Sequence, residues 1–470
     1  MLFPSITFLF YFLPLFFLIY WLAPGIATKN LVLLLASLLF YAWGEPRFVL
    51  LLVTLTLLNY GGALAIDVVQ GENRRFVTAV RVTANLAILG LFKYADFAIG
   101  SLNLLLPKER GFPLPEILLP LGISFFTFHA ISYLIDVYRR EVAANRNLLA
   151  VAVYMAMFPQ LIAGPIIRYH TIVRRLAIRR MTLGRASAGM RIFVIGLAQK
   201  VLIADEVARI ADAMFDKGTQ PTLVEAWLGL SAYTIQIYFD FAGYSNMAIG
   251  LGVALGFAFP RNFRFPYKAR SMSDFWRRWH MSLTQWLRDY LYIPLGGNRG
   301  SVADTYRNLC LVFVLCGLWH GAKWTFVVWG IHHGVFLILE RAGLAPLLAR
   351  APIVAARLYT LLVVMTGWVW FRANDFEQAK ALFIGLAGFS GWPGVSINMH
   401  MVLHPVSIAA LLIGALLATT DLHLARRVTT WRGVSLLNGF ADAGTTASFF
   451  ALSILSIAAG SYSPFLYFRF

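Results

Sequence analysis

The chain has 470 residues, 59% of them hydrophobic and 15% aromatic, with a formal net charge of +18. Repeated apolar runs of about 15–25 residues are long enough to cross ~30 Å of hydrocarbon, which excludes a water-soluble globular protein and implies an integral membrane protein. The positive charge is interleaved with those runs and forms no soluble basic domain, so it points to a positive-inside bias, anionic lipid and an anionic cosubstrate, not to nucleic acid.

The N-terminal residues, MLFPSITFLFYFLPLFFLIYWLAPG, lack a basic n-region and are too long for a cleaved signal peptide, so they should persist as the first helix. Apolar runs cover residues 4–22, 31–43, 48–66, 77–92, 117–137, 148–167 and 192–204, then 223–259, 309–318, 324–339, 353–371, 402–420 and 447–459. Some are too short to span alone and others could hold two elements. The expected fold is therefore all-α, with about eleven transmembrane helices plus re-entrant or interfacial ones. No fixed internal period is visible, which disfavours a transporter built from obvious repeats. One domain is expected over 1–470, with a motif-bearing core at 30–341 and C-terminal helices at 342–470.

Two segments carry the basic charge. Residues 168–191 hold seven arginines and no acid, and residues 261–299 hold eight Lys/Arg against Asp274 and Asp289. Both should face the cytoplasm by the positive-inside rule. Residues 381–420, in contrast, have no Asp, Glu, Lys or Arg, and their start, GLAGFSGWPG, reads as a loop on the opposite side. Cys310 and Cys316 sit six apart in one apolar run, a spacing for neither a metal knuckle nor a disulfide framework, and both read as core.

Chemistry concentrates between residues 275 and 333, where charge and histidine cluster amid apolar runs. Ionisable groups at membrane depth cost roughly 2.5–3.5 kcal/mol each on insertion scales, so they usually mark function. In FWRRWHMSLTQWLRDYLY, Trp276, Trp279, Trp286 and Tyr290 alternate with Arg277, Arg278 and Arg288 at helical spacings. That pattern predicts one amphipathic interfacial helix, aromatics inward and arginines at the headgroups, with His280 on its apolar side. Within AYTIQIYFDFAGYSNMAIG, Gln236, Asp240, Ser245 and Asn246 suggest a polar-lined cavity, and a buried Asp240 should meet an arginine or a histidine. Adjacent helical residues diverge, so His332 and His333 should not share a metal, and no metal site is expected. His129 and His170 read as structural, or as lining the cavity or its mouth.

FWRRWHMSLTQWLRDYLYIPLGG followed by LWHG, forty residues on from its histidine, resembles the membrane-bound O-acyltransferase family, in particular its bacterial branch serving alginate and teichoic acid synthesis. NLVLLLASLLFYAWGEP, LPLGISFFTFHAISYLIDVYR, FPQLIAGPIIR, GLAQKVLIAD and YFDFAGYSNMAIGLGVALGFAFPRNFRFPY extend the likeness to about residue 341. The resemblance implies that His320, of the WHG segment, is catalytic, that His280 is the second polar residue of the site, and that Trp319 lines the cavity beside them. Imidazole titrates near pH 7 and suits a general base for a hydroxyl attacking a thioester, whereas His280 would orient the acceptor or donate to the thioester oxygen. The resemblance further implies acetyl-CoA as a donor substrate, with no permanently bound cofactor. A periplasmic acetyltransferase partner and a polysaccharide acceptor, reached from a bacterial inner membrane, follow from the same likeness. Arg277, Arg278 and Arg288 are candidates for the donor phosphates, whose geometry favours guanidinium. Alginate, cellulose, peptidoglycan or D-alanyl transfer to teichoic acid remain open, as does a transporter or flippase.

Overall fold

The computed structural model describes residues 1–107, 110–215, 220–391, 394–420 and 439–460, with side chains from residue 443 onward in the last stretch. All regular structure among them is helical. Seven helices are long and apolar enough to cross a membrane: Gly25–Gly44, Pro46–Val68, Gly71–Asn103, Leu183–Phe215, Val302–His320, Trp324–Arg350 and Ile353–Arg372. Four shorter apolar helices, Thr7–Leu22, Ile123–Tyr138, Pro405–Thr419 and Ala443–Ala458, accompany them. Leu22, Leu50 and Leu412 are well exposed, as expected where lipid tails are as apolar as leucine and no hydrophobic force drives such side chains inward.

Several boundaries differ from the apolar runs. Residues 148–167 do not form one span: the helix Leu148–Ala156 stops before Pro159, and only the single turn Phe158–Leu161 follows. The run at 117–137 becomes helical only at Ile123, after Pro120 and after Gly122, whose φ of 78° lies in the left-handed region. The run at 223–259 is one helix, Leu223–Ala254, and not two. Trp392 and Pro393 of the GLAGFSGWPG stretch, and residues 421–438 and 461–470 of the C-terminal region, lie outside the described residues.

The described chain separates into two compact units. The first comprises Met1–Gly189 and Ala248–Pro260. Its core holds an aromatic cluster in which Phe8, Phe12, Phe16 and Phe40 surround Phe158 at ring separations of 6.2, 5.4, 5.2 and 5.4 Å. Asn59 and Asn85 pair amide to amide across two of its helices, at 3.0 and 2.8 Å, so neither leaves a polar group unsatisfied in the apolar interior.

The second unit comprises Met190–Met247 and Arg261–Phe470. Its helices Val302–His320 and Trp324–Leu339 form a hairpin joined at close range by small residues. A Cβ on Gly317 would stand 2.2 Å from the Phe326 carbonyl oxygen, and one on Gly330 would stand 2.2 Å from the Phe313 carbonyl oxygen. Only glycine admits that approach. Cys310 and Cys316 in this hairpin are free, as the spacing implies.

Candidate active site

The FWRRWH segment is not one amphipathic helix. A short helix, Met272–Trp276, is capped at its start by Ser271, whose hydroxyl accepts from the Asp274 amide at 3.1 Å. The buried Glu340 carboxylate accepts from the amides of Met272 (2.5 Å) and Ser273 (3.0 Å), satisfying donors that have no intrahelical partner. The chain then breaks, and a second helix runs Met281–Leu287. At the break His280 adopts φ 42°, ψ 51°, a left-handed conformation that costs a non-glycine residue about 1–3 kcal/mol and must be held by its surroundings. Two backbone bonds from another segment hold it: Arg264 N–H to Arg278 C=O and Met281 N–H to Asn262 C=O, each 2.9 Å. Spacing did see the aromatic face correctly, because Trp276, Trp279, Trp286 and Tyr290 are all buried.

Asn262 also fixes the His280 ring. Its Oδ1 accepts from the Ser282 amide at 3.3 Å and the Ser282 hydroxyl at 2.7 Å, and its Nδ2 donates to Ser245 Oγ at 3.0 Å. A backbone N–H only donates, so the oxygen must be the atom facing this side, and His280 Nδ1, 3.2 Å from the same oxygen, must carry its proton. Nε2 is left with the lone pair. It is buried and has no hydrogen-bond partner among the described residues.

His320 closes the helix Val302–His320 and is held differently. Its ring packs edge-on against Trp319, Trp329 and Phe371 at 4.8, 5.1 and 5.3 Å between centroids. The next residue must be glycine, since a Cβ on Gly321 would lie 2.1 Å from the Phe326 ring. The His280 and His320 rings stand 6.4 Å apart between centroids, with Trp319 6.1 Å from His280. The two motif histidines and Trp319, separated in sequence by forty residues, thus meet in one buried, aromatic-walled place.

The other expected site residues have other partners. Asp240, expected to meet an arginine or a histidine, pairs with Lys200 at 2.8 Å, and Lys200 Nζ also lies 2.5 Å from Asp205 Oδ1. All three are buried, and Lys200 belongs to a π-helical turn, Gln199–Ala204, which shifts side chains off the ordinary helical register. Asn246 donates to Gln199 Oε1 at 2.8 Å. Gln236 is buried on the same helix as Asp240, with no partner for its Oε1 among the described residues. Arg277 and Arg288 are exposed; Arg277 Nε donates to the Ser273 carbonyl at 3.1 Å, and Arg288 and Arg278 pair with Asp289 and Asp274 at 2.8 and 2.9 Å.

The remaining histidines separate as their positions demand. His332 Nε2 lies 2.9 Å from the Val363 carbonyl, whereas His333 faces Trp276 and Trp329, so the adjacent pair does not converge on one point. His129 is fully buried in the first unit, its Nε2 3.4 Å from the Ile167 amide. His170 Nδ1 lies 2.9 Å from Asp136 Oδ2 and 3.4 Å from Glu141 Oε2. Sequence reasoning missed Asn262 and Lys200. Each has a weak local signal, a polar residue beside aromatic or apolar neighbours (PRNFRFPY and GLAQKVLIAD), but not its destination.

The family model for membrane-bound O-acyltransferases matches residues 9–371. The chain belongs to this family. It is accordingly a multi-pass membrane O-acyltransferase. Among its relatives, a protein described as a probable alginate O-acetylase of Azotobacter vinelandii is 42% identical over the full length of both chains. Another so described, from Pseudomonas aeruginosa, is 45% identical over 85% of this chain and 77% of its own. A peptidoglycan O-acetyltransferase of Helicobacter pylori is 36% identical over 100% of this chain and 98% of its own.

Proposed function

We propose that this chain is an O-acetyltransferase that takes acetyl from acetyl-CoA and passes it toward the hydroxyls of an extracytoplasmic polysaccharide, with His320 and His280 as its catalytic pair. The observation that carries the reading is the meeting of two buried imidazoles, 6.4 Å apart between centroids, one of them with its Nε2 lone pair presented. His320 takes the proton of the acceptor hydroxyl as its oxygen attacks the thioester carbonyl. The tetrahedral intermediate expels CoA as thiolate, which recovers the proton, leaving an ester and CoA thiol. The carbonyls at the end of the helix Val302–His320 carry partial negative charge and favour the imidazolium that forms in between. The Asn262 contact favours an orienting role for His280: a neutral ring protonated at Nδ1 offers only a lone pair at Nε2, so it accepts from a hydroxyl of the acceptor other than the one that reacts and cannot donate to the thioester oxygen.

The relatives' names support acetyl as the group transferred and a glycan as its destination, and the 42% identity over full length to an alginate O-acetylase favours alginate over peptidoglycan. Delivery from cytoplasmic acetyl-CoA across the inner membrane, through a periplasmic acetyltransferase partner, completes the proposal. Native membranes containing the protein, given acetyl-labelled acetyl-CoA, should release CoA thiol and place label in base-labile ester on polysaccharide. Label that crossed the membrane with the thioester intact would overturn transfer in favour of transport.

A further inference from the structure

In the first unit, the end of the helix Tyr169–Ala177, residues 178–185 and Gly256 enclose a half-open cavity of about 640 Å³. Five arginines line it: Arg174, Arg175, Arg179, Arg180 and Arg185. None of them forms an ion pair with a described residue; their hydrogen bonds go to neutral groups. Arg179 is the informative one, because it is only 7% exposed. It donates to Tyr20 Oη at 3.1 and 2.8 Å and to Asn30 Oδ1 at 2.7 Å, and its guanidinium lies 4.6 Å from the Phe257 ring centre. These contacts fix its position without cancelling its charge. A buried cation without a counter-charge is costly, and four more cations beside it raise that cost. His170, which also lines the cavity, is engaged with Asp136 and Glu141, and no carboxylate is among the lining residues, so the arginines' charge stands in large excess.

We propose that this cavity binds a phosphate-bearing ligand, the headgroup of an anionic phospholipid. Guanidinium groups suit phosphate oxygens because their forked donors match them in pairs. The volume exceeds what one free phosphate needs and admits a glycerophosphate headgroup. Lipid is favoured over a soluble nucleotide by the apolar residues among the arginines: Ile178, which lines the cavity, is 81% exposed and Leu183 is 78% exposed. Such side chains are at ease where acyl chains begin, and arginines beside them reach the headgroup layer. The site is independent of the acyl-transfer reading.

The test uses the full-length protein in neutral detergent, with Arg174→Gln/Arg180→Gln/Arg185→Gln as the variant. These three side chains are exposed, so the fold should survive, and an unchanged size-exclusion profile checks it. Arg350→Gln, also exposed, is the charge control. Phosphatidylglycerol and cardiolipin should raise the apparent melting temperature of the parent and the control, phosphatidylcholine should not, and the variant should bind the anionic lipids about a hundredfold more weakly. Equal stabilisation by phosphatidylcholine, or equal anionic-lipid binding by the variant, would overturn the site. Displacement of cardiolipin by adenosine 3′,5′-bisphosphate, the nucleotide part of CoA, would keep the phosphate site and overturn its assignment to lipid.

Discussion

His280 and His320 are the same residue type in the same buried place, yet the chain supports them by opposite means. His320 ends a regular helix and is wedged by aromatic rings, with glycine after it because Phe326 leaves no room. His280 sits on a strained break, and a hydrogen bond from its Nδ1 to Asn262 decides which nitrogen carries the proton. The first arrangement packs the ring in place at a helix end, where the helix's terminal carbonyls favour the imidazolium that a base becomes. The second fixes the tautomer, as an orienting group requires.

The contrast breaks most visibly at His320. His320→Ala should lower acetyl transfer by about 10²–10⁴-fold while expression stays normal, because it removes the base. His280→Ala should lower it less, and equal losses in the two variants would erase the distinction.

Stability separates from chemistry at Lys200. Lys200→Met leaves Asp205 and Asp240 buried without their cation and should destabilise the protein by about 3–5 kcal/mol, read as a large drop in apparent melting temperature in detergent. An unchanged melting temperature would mean that the triad is not structural.

Asn262 sharpens the comparison from the His280 side. Asn262→Leu should cost about 10–100-fold in kcat, the range typical of residues that orient a site group from behind, with apparent affinity for acetyl-CoA little changed. Asn262→Asp, whose carboxylate still accepts from Nδ1–H, should recover a large part of that loss. A residue that only fills space would give the reverse order, since leucine packs and a buried carboxylate does not.

The smallest effect belongs to the exposed arginines. Arg277→Ala or Arg288→Ala should raise the KM for acetyl-CoA up to about fivefold at unchanged kcat, less so at high salt, as for an exposed charge near phosphate. A fall in kcat with KM unchanged would remove them from the donor site.

The helical, membrane-spanning character was legible because apolar length alone reports it, and the WHG histidine because its neighbours carry a long motif. The break at His280 was hidden: Trp276, Trp279, Trp286 and Tyr290 fit a single helix, and the bonds that interrupt it come from residues 262–264, which periodicity cannot reveal. Asp240 was expected to meet an arginine or a histidine, but Lys200 reaches it from a π-helical turn, a local departure from 3.6-residue spacing that no pattern announces. Pro159 did announce the break in residues 148–167, though the apolar run masked it.

The central claim is that His320 acts as a base and not merely as a polar wall. His320→Gln tests it most directly, since glutamine keeps a hydrogen-bonding group of similar reach but accepts no proton at neutral pH. Transfer of labelled acetyl from acetyl-CoA to polysaccharide should then be as low as in His320→Ala, with expression and acetyl-CoA binding retained. Transfer at the parental rate by His320→Gln would contradict the general-base role and leave this histidine a structural residue.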